Sequence, residues 1–272
     1  MARTIPTVSA NIFKRIQTPK PNSHKGDNKR VLLFAGSKQH FGALYFAGTA
    51  ASRYADWVHV ATARKNISIA KRTRPTFTVV DFQKGLSLID KADAILAGPG
   101  LENNVVTQKL LHRILAHPEK PTILDATALR ILSPRDLHAN CILTPHADEF
   151  QTFFGQKPNS AHLRNQAQLF GGIIVQKGRI DYIATPKQIY QNKTGNAGMT
   201  KGGTGDILAG LLTAFAAQNS LLDSCLAATY LNGCAGDELF QSRHTMFDAV
   251  DLLDQIPFSF QKIMAQNRRT KP

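Results

Sequence analysis

"RVLLFAGSKQHFGALYFAGTAASRYADWVHVAT", residues 30–62, decides the fold. "RVLLFAG" is an apolar run that stops at Gly36, "ALYFAGTAASRYA" sets Ala and aromatic residues at helical spacing, and "DWVHVAT" is a second strand candidate. A strand, a helix and another strand in so short a span form a crossover unit, which joins parallel strands. The theme returns in "ADAILAGPG" (92–100), "PTILDAT" (121–127), "NCILTPH" (140–146) and "GGIIVQKG" (171–178), with helical patterns such as "NVVTQKLLHRILAH" between some of them. Near-continuous β-branched runs of this kind suit strands buried on both faces, so the pattern predicts an α/β protein with a mainly parallel sheet covered by helices. "DYIATPKQIY" (181–190) predicts a hairpin-like strand pair at an edge. Beyond Asp206, "DILAGLLTAFAAQ", "SLLDSCLAATYLNGCAGDELF" and "DAVDLLDQI" predict two or three packed helices. Neither an internal repeat nor a low-complexity linker interrupts the 272 residues, so a single domain over 1–272 is expected.

Composition narrows the function classes. Hydrophobic residues make up 43% of the chain, yet no window approaches the roughly 18 uninterrupted apolar residues of a membrane span, so a soluble protein without membrane partners is expected. Cys141, Cys225 and Cys234 are odd in number and scattered among apolar neighbours, as in a reducing compartment. Residues 1–26 hold Arg3, Lys14, Arg15, Lys20 and Lys25 before any acid, but Pro6, Pro19 and Pro21 interrupt an amphipathic targeting helix; a cytoplasmic location is expected. Thirty-three Lys and Arg against 19 Asp and Glu give a net charge of +14, dispersed apart from "ARK", "KRTR" and the tail "NRRTKP". No aromatic-interleaved basic run accompanies them, which argues against nucleic acid and for a polyphosphorylated small molecule. His24, His40 and His59 share no metal-ligand spacing and read as structural or surface groups, while Trp57 and the Phe residues read as core.

In parallel sheets the ligand crevice lies beyond the carboxyl ends of the strands. Gly36, Gly98, Gly100, Asp125, Thr144, His146 and Lys177 all fall there, although Asp125 could equally cap a turn. The densest stretch is "NAGMTKGGTGD", residues 196–206. Successive amides of Gly202, Gly203, Thr204 and Gly205 at a helix start form a concave set of donors, and the helix dipole adds positive potential, so an anion is held without a cationic side chain. Asp206 is a poor phosphate ligand but is well placed to take a proton from a hydroxyl that attacks phosphorus; the plainer alternative is an N-cap. Asn196 and Lys201 flank the same turn.

"HKGD", "GSKQHFGA", "GPGL", "LDATAL", "LTPHADEF", "VQKG" and "GNAGMTKGGTGD" occur in this order over residues 24–206. As an ordered set they resemble the NAD(P)H-hydrate dehydratases, ribokinase-like enzymes that repair hydrated nicotinamide nucleotides, and the likeness runs on to "FDAVDLLDQIP". The resemblance implies a three-layer α/β/α sandwich. It also implies dehydration of the S-epimer of hydrated NADH or NADPH, driven by ADP or ATP with Mg²⁺, with Asp206 as catalytic base. It places Ala43, Gly100, Glu102, His146 and Asp206 against the substrate. Lys177, Gly178, Arg179, Ile180 and Asp181, with Gly202, Gly203, Thr204 and Gly205, fall at the adenine nucleotide, and Asp125, Asn196, Lys201 and Glu149 close by. No side chain is assigned as a direct metal ligand. A homo-oligomer, a tetramer as in relatives, is implied, and epimerase activity is not.

Five positions depart from the family pattern: Glu102 and Lys29 where Gly is usual, Thr127 where Asp is usual, Lys201 where a small or hydroxyl residue is usual, and Asn232 where His is usual. Glu102 would repel a pyrophosphate unless turned outward or paired, Thr127 removes an acid, and Lys201 adds a cation beside the amide turn. Two other functions fit the same turn. One is a small-molecule kinase of the ribokinase superfamily acting on a thiazole or pyrimidine alcohol; the other is a divergent nucleotide-binding protein.

Overall fold

The computed structural model describes residues 4–73 and 76–269; Arg3, Arg74 and the tail residues 270–272 lie outside them. From the amino end the chain runs β1 (Arg30–Phe34), α1 (Phe41–Ala51), β2 (Trp57–Thr62), α2 (Arg64–Thr73), β3 (Thr78–Asp81), α3 (Phe82–Leu86), β4 (Ala94–Ala97) and α4 (Val105–Leu115). It continues through β5 (Thr122–Leu124), α5 (Thr127–Ile131), β6 (Cys141–Leu143), α6 (Ala147–Phe154), α7 (Ser160–Phe170) and β7 (Ile173–Gln176). The hairpin β8 (Asp181–Ala184) and β9 (Ile189–Asn192) precedes three helices, α8 (Thr204–Ala216), α9 (Leu221–Arg243) and α10 (Ala249–Arg269).

All nine strands form one sheet in the order β3-β2-β1-β4-β5-β6-β7-β8-β9. The first seven run parallel, and β8 and β9 add antiparallel to β7. Alternation along β1 explains the layers: Val31 and Leu33 join a core with α1, α8, α9 and α10, whereas Leu32 and Phe34 point into a second core with α4, α5, α6 and α7. The expected α/β sandwich is therefore present, with helices on both faces. Gly210 of α8 lies so close to α1 that an added Cβ would stand 2.2 Å from the Ala47 carbonyl oxygen. That approach seats α8, and the turn before it, directly against the sheet.

The chain leaves β1 toward β2 and β3, then returns to β4 on its other side, which puts the topological switch between β1 and β4. The Gly36 N–H donates to the Pro99 carbonyl at 2.8 Å there, tying the two Gly-bearing loops together. Three sequence expectations need correction. Strand β3 was not among the predicted strands. Helix α10 runs past Pro257 to Arg269, because its later turns pack on the Ala10–Lys14 turn, with the Asn267 amide donating to the Ala10 carbonyl at 2.8 Å. Trp57 is half-buried under the Lys25 ammonium, 4.1 Å from its ring, and Phe258 is 65% exposed, so neither is a core residue.

Candidate active site

Helix α8 begins where Gly203, at φ +98°, turns the chain into its first turn. A side chain at Gly203 would also press on Phe46, whose ring atoms stand 2.7 Å from the position of its Cβ. Gly203, not Asp206, occupies the N-cap, so the N-cap reading of Asp206 fails. Asp206 sits in the first turn, and its carboxylate has no hydrogen-bond partner among the described residues. The Thr204 N–H donates to the Lys201 carbonyl at 3.5 Å and the Ile207 N–H to the Gly203 carbonyl at 3.1 Å, which leaves the Gly205 and Asp206 amides of the first turn without carbonyl partners among the described residues.

Behind that turn lies a charged network assembled beyond three strand ends, those of β5, β6 and β7. The Lys177 ammonium, just past β7, donates to Asp125 Oδ1 at 2.8 Å and lies 3.9 Å from Glu149 Oε2. The Asp125 and Glu149 side chains are only 3% and 6% exposed. Burial opposes the Lys177 charge, but Asp125, Glu149 and Asp206 together hold its pKa above the ordinary lysine value. Asp206 is pushed up to about 7, first by burial and then by the Asp125 charge, with Lys177 pulling the other way. A carboxyl poised near neutrality beside a row of free amides can accept a proton while the amides receive an anion.

Glu149 also receives the His146 N–H at 3.0 Å, while His146 Nδ1 accepts the Glu149 N–H at 3.3 Å. This reciprocal pair caps α6 and turns the half-exposed imidazole to the crevice. In the β7–β8 turn Asp181 accepts the Gly178 N–H at 3.1 Å and an Asn192 amide hydrogen at 3.2 Å, and burial raises its carboxyl to about 6.

Two cavities open on this edge of the sheet. The first, of about 720 Å³, is lined by His146, Lys177, Gly178, Arg179, Asp181, Asn196, Lys201, Thr204 and Gly205, among others. The second, about 560 Å³, lies at the switch point and takes in His40, Gly100, Glu102, Thr127 and Arg130. Asp125 links them: its partner Lys177 lines the first, and its neighbours Ala126 and Thr127 line the second. Ala43 lies under the second, since a Cβ on Gly100 would come within 2.7 Å of the Ala43 Cβ.

Several expected residues stand elsewhere. Ile180 is half-buried in its turn and lines neither cavity; Gly202, Gly203 and Asp206 are not on the lining of either. The Lys201 ammonium is not free at the amide turn, because it donates to the Thr245 and Phe247 carbonyls. Glu102 is turned outward and accepts from the Asn104 amide at 3.2 Å, which relieves the repulsion its charge would cause. Thr127, in place of an acid, donates to the Leu101 carbonyl at 2.8 Å and fixes the loop after β4.

The sequence reading missed the wall opposite Lys177. Thr194, Gly195, Asn232 and Gly233 line the first cavity, and Asp237 of α9 holds the Gly195 N–H and the Asn196 amide, each at 3.0 Å. The only signal was the departure at Asn232.

Comparison with known proteins agrees with this geometry. The family model for NAD(P)H-hydrate dehydratase matches residues 31–258. The bifunctional NAD(P)H-hydrate repair enzyme of Methanocaldococcus jannaschii is 34% identical over 90% of this chain, but this chain covers 50% of its length. The chain thus spans about half the length of several curated relatives it matches. The ADP-dependent (S)-NAD(P)H-hydrate dehydratase of Lactiplantibacillus plantarum is 32% identical, with 89% of this chain and 91% of the relative covered. Among solved structures, the ADP/ATP-dependent NAD(P)H-hydrate dehydratase of Bacillus subtilis, co-crystallised with ATP and Mg²⁺, superposes with a TM-score of 0.84 at 28% identity, covering 96% and 100% of the two chains. A family match over residues 31–258, with a relative 32% identical across nine-tenths of both chains, settles the assignment: the chain belongs to the NAD(P)H-hydrate dehydratase family.

Proposed function

We propose that residues 1–272 act as one ribokinase-like enzyme that returns the S-epimer of hydrated NADH or NADPH to NADH or NADPH at the expense of ADP or ATP. The observation that carries this is Asp206, a carboxyl raised to about 7 beside the free amides of α8 and the Lys177–Asp125 pair. Ionised Asp206 takes the proton of the ring C6 hydroxyl, whose oxygen attacks the terminal phosphorus of the nucleotide and displaces AMP or ADP. The unpaired amides of Gly205 and Asp206 at the start of α8 receive the phosphate charge. Hydroxide is a poor leaving group and phosphate a good one, so the ring nitrogen lone pair then expels phosphate, and loss of a C5 proton completes the dihydronicotinamide.

Among the described residues no three His, Cys, Asp or Glu side chains form a metal cage. That donor set suits a Mg²⁺ borne by nucleotide phosphates, with Asp125 and Glu149 in reach through water, and the ion would neutralise phosphate charge. No helix among the described residues is long and apolar enough to cross a membrane. Exposed Val105, Val106, Met246 and Phe258 supply apolar surface for a homotetramer, testable by light scattering.

The test is absorbance at 340 nm with hydrated NADH, Mg²⁺ and either ADP or ATP. A rise that Asp206→Asn abolishes supports the proposal and names the donor. A flat trace with both donors overturns it; phosphorylation of a thiazole or pyrimidine alcohol instead would identify a small-molecule kinase.

A further inference from the structure

Asn232 of α9 lines the first cavity and is 6% exposed, yet its Oδ1 is buried without a hydrogen-bond partner. Such groups are rare in folded proteins, because an unsatisfied buried carbonyl forfeits its solvation and gains nothing in return.

The neighbourhood shows why no protein group serves it. Thr194 Oγ1 donates to Asn192 Oδ1 at 2.9 Å, and Asn192 Nδ2 donates to Asp181 Oδ2 and to the Thr229 carbonyl, both at 3.2 Å. Asp237 takes the Gly195 N–H and the Asn196 amide. These donors of Asn192, Thr194, Gly195 and Asn196 are all taken, and Asn232 Oδ1 is left without a partner among the described residues. Backbone contacts hold it in place: a Cβ on the adjacent Gly233 would meet Thr194 Oγ1 at 2.1 Å, and one on Gly236 would meet Met199 Sδ at 2.2 Å. The 194–199 segment is thus pressed on α9, and Asn232 has no slack to turn toward solvent. Leu208 and Met199 add apolar lining to the same cavity, and Thr204 and Gly205 bring the start of α8 to it.

We infer that Asn232 reads the nucleobase of the nucleotide whose phosphates face α8, accepting from the exocyclic amine of adenine and donating to the adjacent ring nitrogen. This rests on the proposed use of an adenine nucleotide. A carboxamide offers one acceptor and one donor side by side, which is the complement of an amine next to a ring nitrogen; the same pairing serves Asn and adenine elsewhere. A nucleotide whose phosphates face α8 and whose base edge meets Asn232 leaves no orphan when bound.

Isothermal titration of the full chain with ADP and with purine riboside 5′-diphosphate, which lacks only the exocyclic amine, tests this. Wild type is expected to bind ADP about 10-fold more tightly than the analogue. Asn232→Leu is expected to bind the two within about twofold of each other, with an unliganded melting temperature no lower than wild type, since the substitution removes an unsatisfied group. Equal affinities in wild type overturn the inference and leave the proposed function standing. So does a variant that melts lower but keeps the preference for ADP, the behaviour of a purely structural amide. Failure of wild type to bind either nucleotide overturns both.

Discussion

The charge on Asp206 is the residue-scale cost of the site. Because burial raises its carboxyl to about 7, the folded chain binds a proton that the unfolded chain releases near 3.8, so stability falls as pH climbs through that window and stays low above it. Asp206→Asn is therefore expected to stabilise the fold at pH 8 by on the order of 2 kcal/mol, discounted for partial solvent screening, and to do nothing at pH 4, as urea midpoints would show. The same variant should lose about 10³-fold in kcat, and wild-type kcat/KM should rise with pH to about 7 and then level; a gain in stability without loss of turnover would remove Asp206 from the chemistry. Lys177 has the opposite sign. Lys177→Met leaves the nearly buried Asp125 carboxylate without its cation and removes the one beside Glu149, an expected loss of about 3 kcal/mol at pH 7, read from urea midpoints. Adding Asp125→Asn should recover much of that loss; if it does not, the pair is not what Lys177 stabilises.

At the scale of elements, α8 does two things at once: its first turn presents amides and its second packs on α1 at Gly210. Gly210→Ala should cost about 2 kcal/mol or more, because the new methyl meets the Ala47 carbonyl and neither helix can retreat from the sheet. Gly202→Ala, with nothing within 4 Å of its Cβ, should change thermal stability by under about 0.5 kcal/mol. Equal effects at the two positions would refute the packing account of this helix. The elements that sequence made legible are those whose signal is local. Strands β1 and β4 to β7 are apolar runs closed by Gly, Pro, Asp or His, β2 is the run "DWVHVAT" after a helical pattern, and the turn before α8 is rich in glycine. Strand β3 escaped because at the sheet edge its "TVVD" buries only Val79 and so lacks the continuous apolar run of the inner strands. The extension of α10 past Pro257 depends on packing against residues nearly the whole chain away. The Lys201 ammonium and the Asn232 wall escaped for the same reason: their neighbours, at 245, 247 and 194, are set by the fold and leave no pattern in the sequence.

Across the whole molecule, two cores, one on each face of a nine-stranded sheet, leave the carboxyl edge to carry every candidate group, and the net charge of +14 surrounds that edge with a field that favours polyphosphates. Stability and ligand are then linked: a nucleotide that binds only the folded chain raises its melting temperature by mass action. At 100 times its dissociation constant the gain is about 2.7 kcal/mol, which for a chain of this length corresponds to about 5 °C. ADP and ATP with Mg²⁺ are expected to give shifts of that size in a calorimetric scan at low salt, and adenosine much less, because it lacks the phosphates that the α8 amides receive. Raising ionic strength should shrink the nucleotide shift while leaving the unliganded melting temperature comparatively unmoved. Equal shifts for adenosine and ADP would locate the affinity in the base pocket alone and take the amides of α8 out of phosphate binding.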